Sequence, residues 1–138
     1  CFDGLENEDV EKITHICCGY PDKLDAIDYP KAPLNSYQEI ANQLNESVIN
    51  TVSLEDAHRY NDLSLLEKFS DTKIIFGVIK IASSDEETIN EIQSRINAAT
   101  KHIKKEQLIA APDCGLGHLP RDLAKRKLKI MVDAVKNI

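Results

Sequence analysis

Long apolar runs are missing from this sequence. None reaches the roughly 18 residues that a membrane-spanning helix needs, and the first residues are polar and acidic, without the apolar segment of a secretion signal. Clusters of basic residues are missing as well, and the formal net charge is −6. Binding to nucleic acid or to an anionic membrane surface is therefore not expected, because both attract positively charged proteins.

Signs of a second domain are also missing, since the sequence has no low-complexity segment, no block of like charges and no linker. A chain of 138 residues can bury one core of ordinary size. We therefore expect residues 1–138 to form a single domain. Residue 1 is a cysteine and not a methionine, so we also expect the sequence to begin inside a longer protein.

Cysteines are few, at positions 1, 17, 18 and 114. Disulfides would suit a small secreted protein, but here a hydrophobic fraction of 42% already supplies a core. We expect a reduced, cytoplasmic setting instead. In that setting, cysteines near a histidine serve as metal ligands, as nucleophiles or as small buried residues.

Four short runs rich in β-forming residues alternate with helical patterns, which predicts an α/β fold. Consecutive parallel strands need a long connection, which a helix supplies. Four such units form either an open sheet or half of a (β/α)8 barrel, whose usual length is about 250 residues. A sequence that begins inside a longer protein favours the half barrel. The predicted strands are Ile13–Cys17, Val48–Leu54, Lys73–Ile81 and Leu108–Pro112.

The helix starts are predicted from capping signals. Ser36 with Glu39, and Ser84 with Glu87, have the spacing of a capping box, and Pro120 lies near the start of the last helix. The polar stretch His58–Asp62 leads into a short amphipathic segment. The apolar positions at helical spacing are Tyr37, Ile40, Ala41 and Leu44, then Leu63, Leu66 and Phe69, then Ile89, Ile92, Ile96, Ala99 and Ile103, then Leu123, Ala124, Leu128, Met131, Val132 and Val135.

Four side chains of metal-ligand type lie at the carboxyl ends of predicted strands. Alternate residues of a strand share a face, so His15 and Cys17 point to the same side. Glu55 follows the second strand, and Cys114 follows the fourth. Because α/β enzymes assemble their sites at these strand ends, we expect the four side chains to meet.

One imidazole, two thiolates and one carboxylate suit a tetrahedral Zn²⁺ site, whereas calcium and magnesium prefer oxygen ligands only. Each residue also has a plainer interpretation. The cysteine pair can be core, His15 a hydrogen-bonded interior residue, Glu55 a solvated loop carboxylate, and Cys114 a residue chosen for tight packing. The coincidence of all of them at strand ends favours the metal site.

Three segments resemble the zinc-ligand segments of the cobalamin-independent methionine synthase family in order and spacing. They are Thr-His-Ile-Cys-Cys-Gly-Tyr at 14–20, Val-Ser-Leu-Glu-Asp-Ala at 52–57 and Ala-Pro-Asp-Cys-Gly-Leu at 111–116. The resemblance is closest to the shorter, methionine-synthase-like members. It implies the C-terminal half of a TIM (β/α)8 barrel, with His15, Cys17, Glu55 and Cys114 as zinc ligands and Glu55 as the exchangeable, catalytic one.

The resemblance also implies an activity, that of a 5-methyltetrahydropteroyltriglutamate-homocysteine S-methyltransferase of methionine biosynthesis. Its partners would be a thiol acceptor such as homocysteine and a methylated folate as donor. Zinc lowers the pKa of a coordinated thiol, so the nucleophilic thiolate exists at neutral pH. Asp113 and Arg59 are the candidate substrate-binding residues.

One position departs from the family pattern. Members that use folate carry a histidine as proton donor in an Asp-Ile-His-Ser segment after the third strand, where this chain has Ala82. An alkyltransferase with another donor, or with a coenzyme M-type acceptor, is therefore an alternative. So is a non-catalytic zinc-binding fragment, because half a barrel needs a second copy or its N-terminal half to close. We expect the 138-residue piece alone to be inactive.

Three further histidines, two of them candidates for substrate contact, are present in the sequence. His58, beside Arg59, is a candidate for binding a substrate carboxylate, with a surface role as the alternative. His118 lies in the Gly-rich turn after Cys114, which makes substrate contact one interpretation. His102 is predicted to lie within a helix on its polar, solvated face.

Overall fold

Strands and helices alternate along the part of the chain that the computed structural model describes, which is residue 2, residues 4–136 and residue 138. Four parallel strands form one sheet in the order β1-β2-β3-β4. This arrangement confirms the predicted α/β class. The strands are β1 (Ile13–Ile16), β2 (Thr51–Leu54), β3 (Lys73–Ile79) and β4 (Leu108–Pro112), and the helices are α1 (Ser36–Asn45), α2 (Ile89–Ala99) and α3 (Arg121–Val135), with 3-10 turns at Leu63–Lys68 and Lys105–Gln107.

The strand bounds agree with the sequence for β4 and are shorter for the other three. β1 ends one residue early, at Ile16, whose carbonyl accepts a hydrogen bond from a tyrosine hydroxyl. β2 begins at Thr51 and not at Val48, because Ser47 and Ile49 form a side-chain-to-backbone turn before it. β3 ends at Ile79, where the register shifts.

Both predicted capping boxes are wrong. α1 begins at Ser36 itself, with Asn35 in the N-cap position, and the Asn35 amide donates a 2.5 Å hydrogen bond to Glu39. The capping box of α2 is formed by Thr88 and Glu91, four residues beyond the predicted pair. Ser84 with Glu87 and Thr88 with Glu91 both have the spacing of a capping box. The packing of the apolar stripe of α2 decides which pair lies at the start of the helix.

The remaining helix predictions have mixed outcomes. α3 begins directly after Pro120, as predicted. The amphipathic segment after β2 is a 3-10 turn that buries Leu65 and Leu66. α2 ends at Ala99, so His102 lies beyond the helix and not within it.

The core lies between one face of the sheet and the three helices. Val52, Leu54, Ile74 and Phe76 project from the strands into it. The opposite face carries Ile13 and Ile109, which are 49% and 42% exposed. In the described residues, no strand pairs with the outer edge of β1 or β4. A sheet covered on one face and open at both edges has the form of half a closed barrel.

Across the described residues, no helix has the length and apolar character needed to cross a bilayer.

Candidate metal centre

The carboxyl edge of the sheet brings the four predicted ligands together. His15 lies in β1, Cys17 follows that strand, Glu55 follows β2 and Cys114 follows β4. One potential ligand atom from each residue lies within 4.8 Å of the corresponding atoms of the other three. The alternation of side chains along β1 produces this arrangement, because Ile16 and Cys18 turn toward the core while His15 and Cys17 are exposed on the other face.

His15 is oriented by a neighbour on the next strand. Its Nδ1 lies 2.9 Å from Ser53 Oγ, and the two residues are paired in the β1–β2 register. A hydrogen bond at one ring nitrogen fixes the ring plane, and in the tautomer whose Nδ1–H donates to Ser53 the Nε2 lone pair is available for a ligand.

Glu55 accepts hydrogen bonds at both carboxylate oxygens. The Cys17 thiol donates to Oε1 over 3.0 Å, and the backbone N–H of Cys18 donates to Oε2 over 3.0 Å. Although the residue is exposed, partial burial of its sulfur, reinforced by the hydrogen bond to Glu55, raises the pKa of the Cys17 thiol to about 12. Without a metal the thiol therefore keeps its proton, and a metal ion that binds there must displace it.

Tyr37 is a residue of this region that the sequence placed only on an apolar helix face. It is 3% exposed, and its hydroxyl donates to the Ile16 carbonyl over 2.7 Å and accepts from the Glu55 N–H over 3.1 Å. Burial and the nearby Cys18 thiol raise the pKa of Tyr37, so the phenol stays protonated. A buried tyrosine hydroxyl needs a polar partner, and a tyrosine on a buried helix face was therefore the signal in the sequence for a polar contact here.

Asp113 joins the end of β4 to the loop that follows β2. It is 1% exposed, and its carboxylate accepts from the N–H groups of Asp56, Ala57 and His58 at 2.7 to 2.8 Å. Burial raises the pKa of Asp113 to about 6, although these three hydrogen bonds lower it. The segments that carry Glu55 and Cys114 are thereby held together, while the predicted substrate contact of Asp113 stays a prediction.

A buried ion pair fixes the same loop to α2. The Arg95 guanidinium donates to both oxygens of the fully buried Asp56 at 2.6 and 2.8 Å, and to the Asn61 carbonyl at 2.9 Å. A bidentate pair of this kind fixes both position and angle. The sequence does not predict this ion pair, because Asp56 and Arg95 are far apart in the chain.

Arg59 and His58 bind backbone groups of the chain itself. Arg59 donates to the Ala32 carbonyl over 2.6 Å and so holds the proline-rich loop after β1. His58 Nε2 accepts from the N–H groups of Ile81 and Ala82 at 2.9 and 3.2 Å. Burial, with smaller contributions from nearby lysines, lowers the pKa of His58 to about 4. A substrate-binding role for Arg59 stays a prediction.

The other two histidines, His118 and His102, each have a polar contact within the chain. His118 Nε2 lies 2.8 Å from the Pro21 carbonyl, and its ring centroid is 4.9 Å from that of Tyr20, whose hydroxyl donates to Gly115. These contacts join the loop after β1 to the turn after β4. His102 is half-buried and lies 2.6 Å from a Glu67 carboxylate oxygen. Cys1 lies outside the described residues.

Comparison of the chain with known proteins shows the family to which it belongs. The family model described as "Cobalamin-independent synthase, Catalytic domain" matches residues 9–137. The chain belongs to the cobalamin-independent methionine synthase family. Methionine synthase from Pyrococcus abyssi is 34% identical over 103 residues, and that from Pyrococcus furiosus is 31% identical over 105 residues. These alignments cover 74% and 75% of this chain and 30% and 31% of the relatives, in the same order.

Solved structures of the family share the fold. A B12-independent methionine synthase from Shewanella sp. W3-18-1, in complex with selenomethionine, matches with a TM-score of 0.82 and 25% identity, over 96% of this chain and 39% of that one. A putative vitamin-B12 independent methionine synthase from Listeria monocytogenes matches with a TM-score of 0.68 and 23% identity, over 96% and 37%, and shows the fold alone. The chain thus spans less than two fifths of the proteins it matches, in agreement with a half barrel.

Proposed function

We propose that this chain is the metal-binding half of a zinc-dependent S-methyltransferase. In this proposal His15, Cys17, Glu55 and Cys114 hold Zn²⁺, and a methyl group passes from a methylated folate-like donor to a thiol such as homocysteine, in methionine biosynthesis. Membership of the cobalamin-independent methionine synthase family supports the reaction class. The single observation that carries the proposal is the convergence of four donor atoms within 4.8 Å at the carboxyl edge of the sheet.

The donor set fits zinc in type and in spacing. Zinc accepts nitrogen, sulfur and oxygen donors at about 2.0–2.3 Å, which puts neighbouring donors of a tetrahedral site about 3.3–3.8 Å apart. A spread of at most 4.8 Å is closed by small side-chain rotations. When bound, zinc supplies a lowered pKa for a coordinated thiol, so that a thiolate nucleophile exists at neutral pH.

The chain's own residues prepare the site for an incoming thiol. Two cysteine sulfurs contribute negative charge, which keeps an acceptor sulfur electron-rich. Glu55 would be the exchangeable ligand, as the family resemblance implies, and the Cys18 N–H on its second oxygen would keep the carboxylate close to the site. The three free cysteines of the described residues, two of them in the donor set, fit a reducing, cytoplasmic setting.

A second candidate function follows from Ala82. This residue is 2% exposed and has no group that transfers protons. The imidazole nearest to its backbone belongs to His58, whose Nε2 is already an acceptor for two N–H groups. An alkyltransferase that uses another donor or a coenzyme M-type acceptor needs no proton donor at this position.

Closure of the barrel is part of the proposal. The face that bears Ile13 and Ile109 is open, and further chain on the N-terminal side or a second copy would cover it. Residues that bind the acceptor and the donor then come partly from outside this chain, with Asp113 and Arg59 as its own contribution. The isolated chain therefore binds zinc without turnover, and a purely non-catalytic zinc-binding fragment is the third candidate.

X-ray absorption at the zinc edge tests the proposal and separates its versions. Zinc added to the chain should have two sulfur ligands, one nitrogen ligand and one oxygen ligand. Homocysteine should replace the oxygen by a third sulfur in the first version, whereas coenzyme M should do so in the second. A Glu55→Gln variant should lose the oxygen ligand before any thiol is added. Failure to take up zinc contradicts the proposal, and an unchanged ligand set with every thiol contradicts both transferase versions and leaves only the non-catalytic fragment.

A further inference from the structure

The backbone hydrogen bonds between β1 and β2 stop at the carboxyl ends of the two strands, beside the candidate metal centre. The two strands pair from Ile13↔Thr51 to Ile16↔Leu54, and the Lys12 carbonyl accepts from the Thr51 N–H over 3.2 Å. In a parallel pair such bonds recur at every second residue. The next bonds of the series are therefore from Ser53 to Thr14 and from Glu55 to Ile16.

The last bond of that series is interrupted by a side chain. The Tyr37 hydroxyl lies between the two backbone groups, accepting from the Glu55 N–H over 3.1 Å and donating to the Ile16 carbonyl over 2.7 Å. A direct bond would bring nitrogen and oxygen to about 2.9 Å, whereas two bonds that meet at one hydroxyl oxygen hold them roughly 5 Å apart. The strands therefore diverge between Ile16 and Glu55, just where the candidate ligands Cys17 and Glu55 are carried.

We infer that Tyr37 is a positioning residue of the metal centre, whose hydroxyl separates β1 from β2 and sets the distance between Cys17 and Glu55. Each of these side chains follows directly from one of the two backbone groups that the hydroxyl bridges. The ring is held in the core on α1, so the hydroxyl is a fixed spacer and not a mobile one. The inference rests on the proposed function, because the spacing matters only if the four donors hold a metal ion.

Removal of the hydroxyl leaves two buried backbone groups without their partner. Either the strands close into a direct Glu55-to-Ile16 bond or a water molecule replaces the phenol. Closure moves Glu55 relative to Cys17, and a bridging water molecule, which α1 does not hold, leaves their spacing less fixed. In both cases the other side of the site, at Cys114, stays where it was. The supporting shell of a metal site affects affinity by about 10- to 100-fold.

Cobalt titration of the 138-residue chain tests the inference, because Co²⁺ reports ligand geometry in its visible absorption. Tyr37→Phe should bind Co²⁺ at least about 10-fold more weakly than the wild-type chain, and its saturated spectrum should show shifted bands. Ile92→Val is the matched control, since it trims a buried core residue of α2 that is outside the donor set. It should lower stability while leaving the affinity and the spectrum unchanged.

Each outcome has a separate meaning. A Tyr37→Phe chain with the wild-type dissociation constant and spectrum overturns the positioning role and leaves the proposed function intact. The same spectral shift in Ile92→Val also overturns it, because general loosening of the fold would then explain both. A wild-type chain that binds no cobalt overturns the proposed function, and the inference falls with it.

Discussion

At the scale of single residues, the site depends on backbone groups that hold acidic and aromatic side chains in place. Glu55 is held by a thiol and an amide, and Asp113 by three amides in a row. His58 is the reverse case, since its ring nitrogen accepts two amide protons. These contacts fix the loops at the carboxyl edge of the sheet before any ligand arrives.

His58 should make the stability of the chain depend on pH. Its pKa is lowered from 6.5 to about 4 by burial and by nearby lysines, so between these values the unfolded chain takes up a proton that the folded chain refuses. Its contribution is therefore complete above about pH 6.5 and is lost as the pH falls toward 4. His58→Gln, whose amide oxygen can accept the same hydrogen bonds without titrating, should lose less stability on acidification.

Urea unfolding at pH 7 and pH 5 measures this difference. Between pH 7 and pH 5 the free energy of unfolding should fall by about 1 kcal/mol less in the variant than in the wild type. This difference is smaller than the full pKa shift implies, because solvent still reaches part of the ring. His102→Gln is the control, since that histidine lies beside the Glu67 carboxylate and is not a partner of the Ile81 and Ala82 N–H groups. Parallel losses in the wild type and His58→Gln would assign the pH dependence to other groups.

The candidate ligands were predictable because their position depends on a local rule. Alternation in β1 and the convergence of parallel strand ends are sufficient to group His15, Cys17, Glu55 and Cys114. Tyr37 was not predictable in its role. Its hydroxyl acts on two strands, and only the packing of α1 on the sheet brings it to the gap between them.

At the scale of elements, the approach of β4 to β3 determines how the site is held. Gly77 in β3 faces Asp113, and a Cβ there would lie 1.9 Å from Asp113 Oδ1 and 2.9 Å from its Cα. Only glycine permits this approach, which in turn lets the Asp113 carboxylate reach the loop after β2.

Gly77→Ala should therefore destabilise the fold by about 2–3 kcal/mol, because Asp113 and its backbone must shift. Gly117→Ala is the matched control, as the nearest atom to its Cβ would be the Tyr20 hydroxyl at 3.9 Å. That change should stay within about 0.5 kcal/mol. Equal free energies of unfolding in urea for the two variants would show that the contact of Gly77 with Asp113 does not constrain the fold.

The sequence predicted the elements better than their ends. All four strands and the helices between them follow from hydrophobic periodicity. The predicted capping boxes at Ser36 and Ser84 failed, because a serine with a glutamate three residues later is a common pattern in a chain rich in acidic residues. Burial of Ile92 against the sheet fixes the start of α2 at Thr88 instead.

At the scale of the whole molecule, one face of the sheet is left without cover by the described residues. Helices α1, α2 and α3 pack on one side, and Ile13 and Ile109 are exposed on the other, the face that also bears His15. The chain covers 39% of the Shewanella protein's chain. A sheet face with exposed isoleucines is expected to associate with a partner.

The isolated chain should therefore self-associate, and light scattering should give a mass above that of one chain. A double variant, Ile13→Lys with Ile109→Lys, should shift the protein toward the monomer. Val132→Lys, which changes a residue of α3 that is 44% exposed, should not. A wild-type chain that is monomeric at high concentration would contradict the half-barrel interpretation.

The family and the grouping of the four candidate ligands were accessible from the sequence, whereas the substrates were not. Three short segments carry the family pattern, and the family model covers residues 9–137. Under the proposed function, the acceptor and the donor are selected partly by residues that this chain does not contain, and the chemical consequence of Ala82 is not visible in the fold.

Zinc content is the measurement that tests the central claim most directly. The wild-type chain should bind one zinc ion, and Cys114→Ser should bind little or none, because one of its two thiolate ligands is lost. Cys18→Ser should keep the full amount, since its side chain packs toward the core. Full zinc content in Cys114→Ser, with the same affinity as the wild type, would contradict the account.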